Sequence, residues 1–196
     1  MSHLLNNLTL EHEKILNVLA ALQNFVAFHA KQATTPRKPL GHFVLFFREY
    51  LDHWHHGKEE GLLFPAMVEA GLPAGAGPVG CMLREHDLGR GLLHGLAAFA
   101  EGSGGLTPAE LGSLGSMAVE YARLLAIHIA KENQMLYPMA RRIIPADRLG
   151  ELDASAGALD ARWGQQGVEL ARLGEALCTR FGGLDEAARE PREGPA

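Results

Sequence analysis

The stretch HWHHGKEEGLLFP, residues 53–65, sets three histidines within four positions, follows them with two glutamates, and runs through an apolar segment to a proline. A solvated helix face has no need of three imidazoles, and a buried imidazole must find a partner for each ring nitrogen. The arrangement recurs at residues 128–138, HIAKENQMLYP. Counting from His55, glutamate falls at +4 (Glu59), leucine at +8 (Leu63), an aromatic at +9 (Phe64) and proline at +10 (Pro65). From His128 the same offsets give Glu132, Leu136, Tyr137 and Pro138. A second echo lies upstream of each, EHE around His12 and EHD around His86. The separations, 74 positions for His12 to His86 and 73 for His55 to His128, describe one helical hairpin used twice.

Around this repeat the chain reads as helix. β-Branched residues are scarce, and leucine, alanine and glutamate fill windows with 3.6-residue spacing. A first helix carries Leu8, Ile15, Leu19, Leu22 and Phe25 to about residue 31, and TTPRKP at 34–39 breaks it. A second spans about 40–69, glycine and proline punctuate 70–78, and a third covers about 80–101. Thr107, Pro108 and Glu110 form a capped helix start, with the threonine as N-cap and the glutamate closing a capping box, so a fourth helix runs from there to about 142. A fifth is expected over about 148–181. Short connections favour antiparallel neighbours, so the chain is expected to be all-α: an up-down-up-down four-helix bundle with an additional C-terminal helix. The expected division is a bundle over 1–145, a helical extension over 146–183 and a polar tail over 184–196.

With 196 residues, 47% of them hydrophobic, the chain suffices for one well-buried domain and a modest extension. A net charge of −5 gives no basic field, so neither nucleic acid nor an anionic membrane is expected as a partner. No signal-peptide pattern and no long apolar span are present, which predicts a cytoplasmic protein. Cys81 and Cys178 are far apart and form no CxxC, so a bound metal would be held by nitrogen and oxygen.

The spacing has a chemical meaning. Residues i and i+4 share one helix face, so each HxxxE aims an imidazole and a carboxylate at one point in the bundle. Glu59 and Glu132 buried bare among leucines would cost several kcal/mol each, and cations remove that penalty. Two carboxylates shared by at least four histidines suggest two ions bridged by both. The donor set suits iron, and manganese or zinc also fit.

At these residues the chain resembles the hemerythrin-like, or HHE cation-binding, family over about residues 8–142. The resemblance rests on EHE at 11–13, HHGKEEGLLFP at 55–65, GPVGCMLREHDLGR at 77–90 and HIAKENQMLYP at 128–138. It implies a four-helix bundle around a non-haem di-iron centre of the Fe–O–Fe type that meets dioxygen, nitric oxide or peroxide. Carried over by position, His12 and His55 would bind one iron, His86 and His128 the other, and Glu59 and Glu132 would bridge. A hemerythrin supplies a fifth histidine one turn after the place of His86, where this chain has Arg90. His56, about 100° around the helix from His55, is expected to replace it.

Glu60 and Arg90 are candidates to support the ligands from behind. His53 is expected at the surface, as are His3, His29, His42 and His94. Gly57 is expected to make room for a close helix or a turning imidazole. The first functional expectation is a di-iron protein that binds or reacts with a small oxidant, with turnover of peroxide or nitric oxide left open. The alternative is a sensor or metal-handling protein in which metal loading is read by a partner, the fifth helix being the candidate output surface.

Overall fold

The computed structural model describes residues 2–182; the polar tail expected over 184–196 lies outside them. Five helices make up the fold. Helix α1 is His3–His29, α2 is the continuous helical run 37–69, α3 is Gly77–Ala100, α4 is the run 108–143 and α5 is Ala146–Phe181. Among the described residues there is no strand, only a single bridge pair, Thr35 with Leu106. That pair ties the α1–α2 and α3–α4 connections together.

The helix starts follow their sequence signals. The Thr107 side chain accepts from the Glu110 N–H, and the Glu110 carboxylate accepts from the Thr107 N–H. The start of α1 depends on a distant residue: Asp153 of α5 accepts from the Ser2 hydroxyl and from the N–H groups of His3 and Leu4, so a carboxylate sits on the positive end of α1.

Pro65 and Pro138 do not end their helices. Proline lacks an N–H, and its ring collides with the carbonyl four residues back in a regular α-helix. Both helices widen just before it, through π-helical turns at Glu59–Leu63 and Glu132–Leu136, with Phe64 N–H bonded to Glu59 C=O and Tyr137 N–H to Glu132 C=O. A further π-helical segment, Phe47–His56, lies upstream in α2. The glutamate of each HxxxE thus opens a π turn. Gly57 falls between two of these segments and faces solvent; no side chain or neighbouring helix approaches it, so the expected close contact is absent.

The core divides into two apolar clusters. One holds Ile15, Leu22, Leu51, Leu93 and Leu125, the other Leu8, Leu63, Met82 and Leu136. On each of the four bundle helices the apolar run is interrupted between the clusters by buried histidine or glutamate: His12, His55 with Glu59, His86, and His128 with Glu132. The interruptions share one level. On α2 and α3 this requires unequal helix lengths: α2 continues 14 residues past His55, whereas α3 begins nine before His86, and the 70–76 connection climbs the difference.

Helix α5 was expected as one helix from 148. It begins at Ala146 and breaks at Gly164, whose φ of 38° is open to glycine. Its first part packs Leu152 and Ala156 into the cluster of Leu8 and Leu63, its second part Leu170, Leu177 and Phe181 into that of Ile15 and Leu22. At Gly174 the backbone lies against Phe46 so closely that a Cβ there would stand 2.7 Å from the ring. His29, expected at the surface, is buried: its Nδ1–H donates to the Phe25 carbonyl and its ring packs against Phe25. It falls on the same face of α1 as Leu22 and Phe25, which carries it inward.

Candidate metal centre

His12, His55, His56, His86, His128, Glu59 and Glu132 are all brought together between the two apolar clusters, each at most 3% exposed. The Nδ1 atom of each imidazole faces an oxygen acceptor. His55 pairs with Glu11 at 2.8 Å, His128 with Glu85 at 3.0 Å, His86 with Glu60 at 2.6 Å, His12 with the Asn133 amide oxygen at 2.9 Å and His56 with Asp52 at 3.4 Å. An acceptor at Nδ1 fixes the proton there and leaves the Nε2 lone pair bare. Five lone pairs and two carboxylates therefore lie together in one buried cluster.

The distances inside that cluster fall into two groups. His12 Nε2 lies 3.0 Å from His55 Nε2, and His86 Nε2 lies 3.1 Å from His128 Nε2. Two nitrogens each about 2.1 Å from one cation, roughly at right angles, stand about 3 Å apart. Donor atoms of His12, His55, Glu59 and Glu132 all lie within 4.8 Å of one another, as do those of His56, Glu59, His86 and His128. Glu132 reaches both sides, with Oε2 3.2 Å from His12 Nε2 and Oε1 3.2 Å from His128 Nε2. Glu59 Oε2 lies 3.8 Å from His55 Nε2 and 3.5 Å from His86 Nε2.

The protein alone leaves this cluster unsatisfied. Among the described residues, Glu59 Oε2, both oxygens of Glu132 and His56 Nε2 are buried with no hydrogen-bond partner. An unpartnered buried carboxylate costs several kcal/mol, and a cation between the donors satisfies all of these atoms together. Protonation reports the same tension. Burial holds His55 and His56 well below the ordinary imidazole range. Burial and the neighbouring Glu132 push Glu59 well above the carboxylate range; against burial, His128 and His12 hold Glu132 well below it.

Several residues of the site escape the HxxxE pattern. Glu11 and Glu85 back His55 and His128, and each carboxylate also pairs with a lysine three positions after that histidine, Lys58 or Lys131. A signal existed: Glu11 and Glu85 precede His12 and His86, and both halves read HxxKE. Tyr137 donates to Glu59 Oε1 at 2.6 Å and stacks on His12, while Phe64 at the matching place stacks on His86. Arg90 pairs with both Asp52 and Glu60, and so braces the carboxylates behind His56 and His86. His56 lies parallel to His86, ring centres 3.7 Å apart. His53 is exposed and pairs with Glu49.

The family model of the hemerythrin HHE cation-binding domain matches residues 3–140. The chain belongs to that family. The matched span covers all the clustered histidines and glutamates and stops short of α5. No curated protein matches the chain. The family and the buried cluster together indicate metal binding, and among the described residues no helix is long and apolar enough to cross a membrane.

Proposed function

We propose that this hemerythrin-family protein holds two iron ions and binds or reacts with a small oxidant: dioxygen, nitric oxide or hydrogen peroxide. One ion would be held by His12 and His55, the other by His56, His86 and His128, with Glu59 and Glu132 joining them. The observation that carries this reading is the set of orphaned buried atoms, which spans both groups of donors and supports two cations rather than one. Manganese or zinc would satisfy the same atoms. Iron is favoured because a mixed set of imidazoles and carboxylates suits it and its redox chemistry would serve an oxidant. The chain's own contribution is positional. The Nδ1 acceptors hold the rings, the two apolar clusters keep bulk water out, and Tyr137 offers a hydroxyl at the edge of the His12 side. Absorption spectra of the iron-loaded protein under each oxidant test the reading. New charge-transfer bands with at least one oxidant are expected, and spectra indifferent to all three would overturn it.

A second reading is favoured by one specific observation. Asp160 of α5 pairs with Lys58 at 3.2 Å, Lys58 pairs with Glu11, and Glu11 holds His55. Metal loading could thus be read through α5 by a partner. Protease sensitivity of α5 that changes with metal loading, without a response to oxidants, would select this reading over the first.

A further inference from the structure

The two halves of the repeat differ at the residue that follows each central glutamate. After Glu59 comes Glu60, whose carboxylate accepts from His86 Nδ1 at 2.6 Å; after Glu132 comes Asn133, whose amide oxygen accepts from His12 Nδ1 at 2.9 Å. The two contacts are equivalent by position and differ in charge. A carboxylate behind an imidazole raises the basicity of the bare nitrogen on the far side, and losing such a partner typically costs about 10–100-fold in metal affinity. His56 widens the difference, because its counterpart in the second hairpin is Ile129. On one side, three imidazoles each face a carboxylate: His56 with Asp52, His86 with Glu60 and His128 with Glu85. On the other side there are two, one facing Glu11 and one facing only an amide.

We infer that Asn133, standing where the other half of the repeat has Glu60, makes the two metal positions unequal, so that the His56–His86–His128 position fills first and the His12–His55 position is the one readily emptied. The inference rests on the two-ion reading above. The gap is at least about tenfold in affinity, the lower end of what one carboxylate partner contributes.

Cobalt(II) titration followed by proton NMR tests it without any oxidant. A paramagnetic ion shifts the Nδ1–H protons of the imidazoles that hold it far outside the normal range, and these signals vanish in D2O. At one cobalt per chain, three such signals are expected, with two more appearing only as the second equivalent is added. Asn133→Asp should bring the two sets closer to simultaneous appearance, and so should Glu60→Gln, which weakens the other position. Both are near-isosteric, and the wild-type titration alone already decides the filling order. Simultaneous appearance of all five signals, or the two-signal set first, overturns the inference while leaving two-ion binding intact. The expected order with no response to Asn133→Asp overturns the role given to Asn133. Absence of any cobalt binding overturns the two-ion reading itself, and the inference with it.

Discussion

The first hairpin, α1 with α2, and the second, α3 with α4, place the same pattern of histidine, lysine, glutamate, leucine, aromatic and proline at the same level, yet one is covered and the other is not. Lys58 in the first is 1% exposed. It pairs with Glu11 and Asp160, sits over the Trp54 ring with Nζ 4.5 Å from its centre, and is sealed by α5. Its counterpart Lys131 is 31% exposed and, among the described residues, pairs only with Glu85. Apart from His56, whose counterpart is Ile129, the donors that point inward are alike in both halves, while the surroundings that brace them differ. A repeated site can therefore acquire two different neighbourhoods without moving a donor.

The comparison can be broken first at the glutamates both halves share. Glu59→Ala or Glu132→Ala removes a donor that reaches both groups, so metal content should collapse and the loaded protein's Tm should drop by about 5–10 °C, given roughly 2–4 °C per kcal/mol for a chain of this size. Glu59→Gln sharpens the point. In metal-free protein it should raise Tm, because it removes a carboxyl that burial and Glu132 force to take up a proton on folding, and in loaded protein it should lower it. A Tm shift of the same sign in both states would contradict the role given to Glu59.

The lysines come next. Lys58→Met strands Glu11 and Asp160 without their cation and should cost about 3–5 kcal/mol. Lys131→Met should cost under about 1 kcal/mol, since its partner is screened and keeps His128. Urea melts of the pair measure this, and equal losses would remove the distinction between the hairpins. His56→Ala should then weaken metal retention by one ion per chain while His53→Ala changes nothing measurable; equal metal content in both would remove His56 from the site.

The smallest effect is on acid stability. The folded-state values of His55 and His56 lie well below the ordinary value near 6.5, and burial lowers His86 in the same sense. Between those values and about 6.5 the unfolded chain binds protons that the folded chain does not, so stability rises with pH there and falls on acidification. His128, held above the ordinary value against burial by Glu132 and Glu85, and Glu59, pushed well above the carboxylate range by burial and Glu132, each offset part of this. Thermal melts of metal-free protein from pH 8 to pH 5.5 should show Tm falling; a rise would reverse the sign argued here.

Much of this was legible in the sequence because it is periodic. The HxxxE spacing brings its donors to one helix face, and the TPAE start at 107–110 caps a helix by local hydrogen bonds alone. What escaped depends on contacts between distant segments. A lysine is ordinarily solvated, and only the arrival of Glu11 and Asp160 makes Lys58 a core residue. The break at Gly164 looks in sequence like any helical glycine. The π turns leave their sequence trace in the prolines at +10, which a regular α-helix accommodates only with a kink or a widened turn ahead of them. The acceptors Glu11, Glu85 and Asn133 lie beside donors in sequence but act on histidines of neighbouring helices, a relation the helical period does not encode.

The most direct test of the two-ion centre is metal content per chain, measured by elemental analysis on protein purified from iron-replete cells and by equilibrium dialysis of the metal-free protein against iron(II). The orphaned carboxylate oxygens and the two groups of donors predict close to two ions per chain, lost together in Glu59→Ala and Glu132→Ala. A value of one or zero in saturated protein, with the bundle folded, would contradict it.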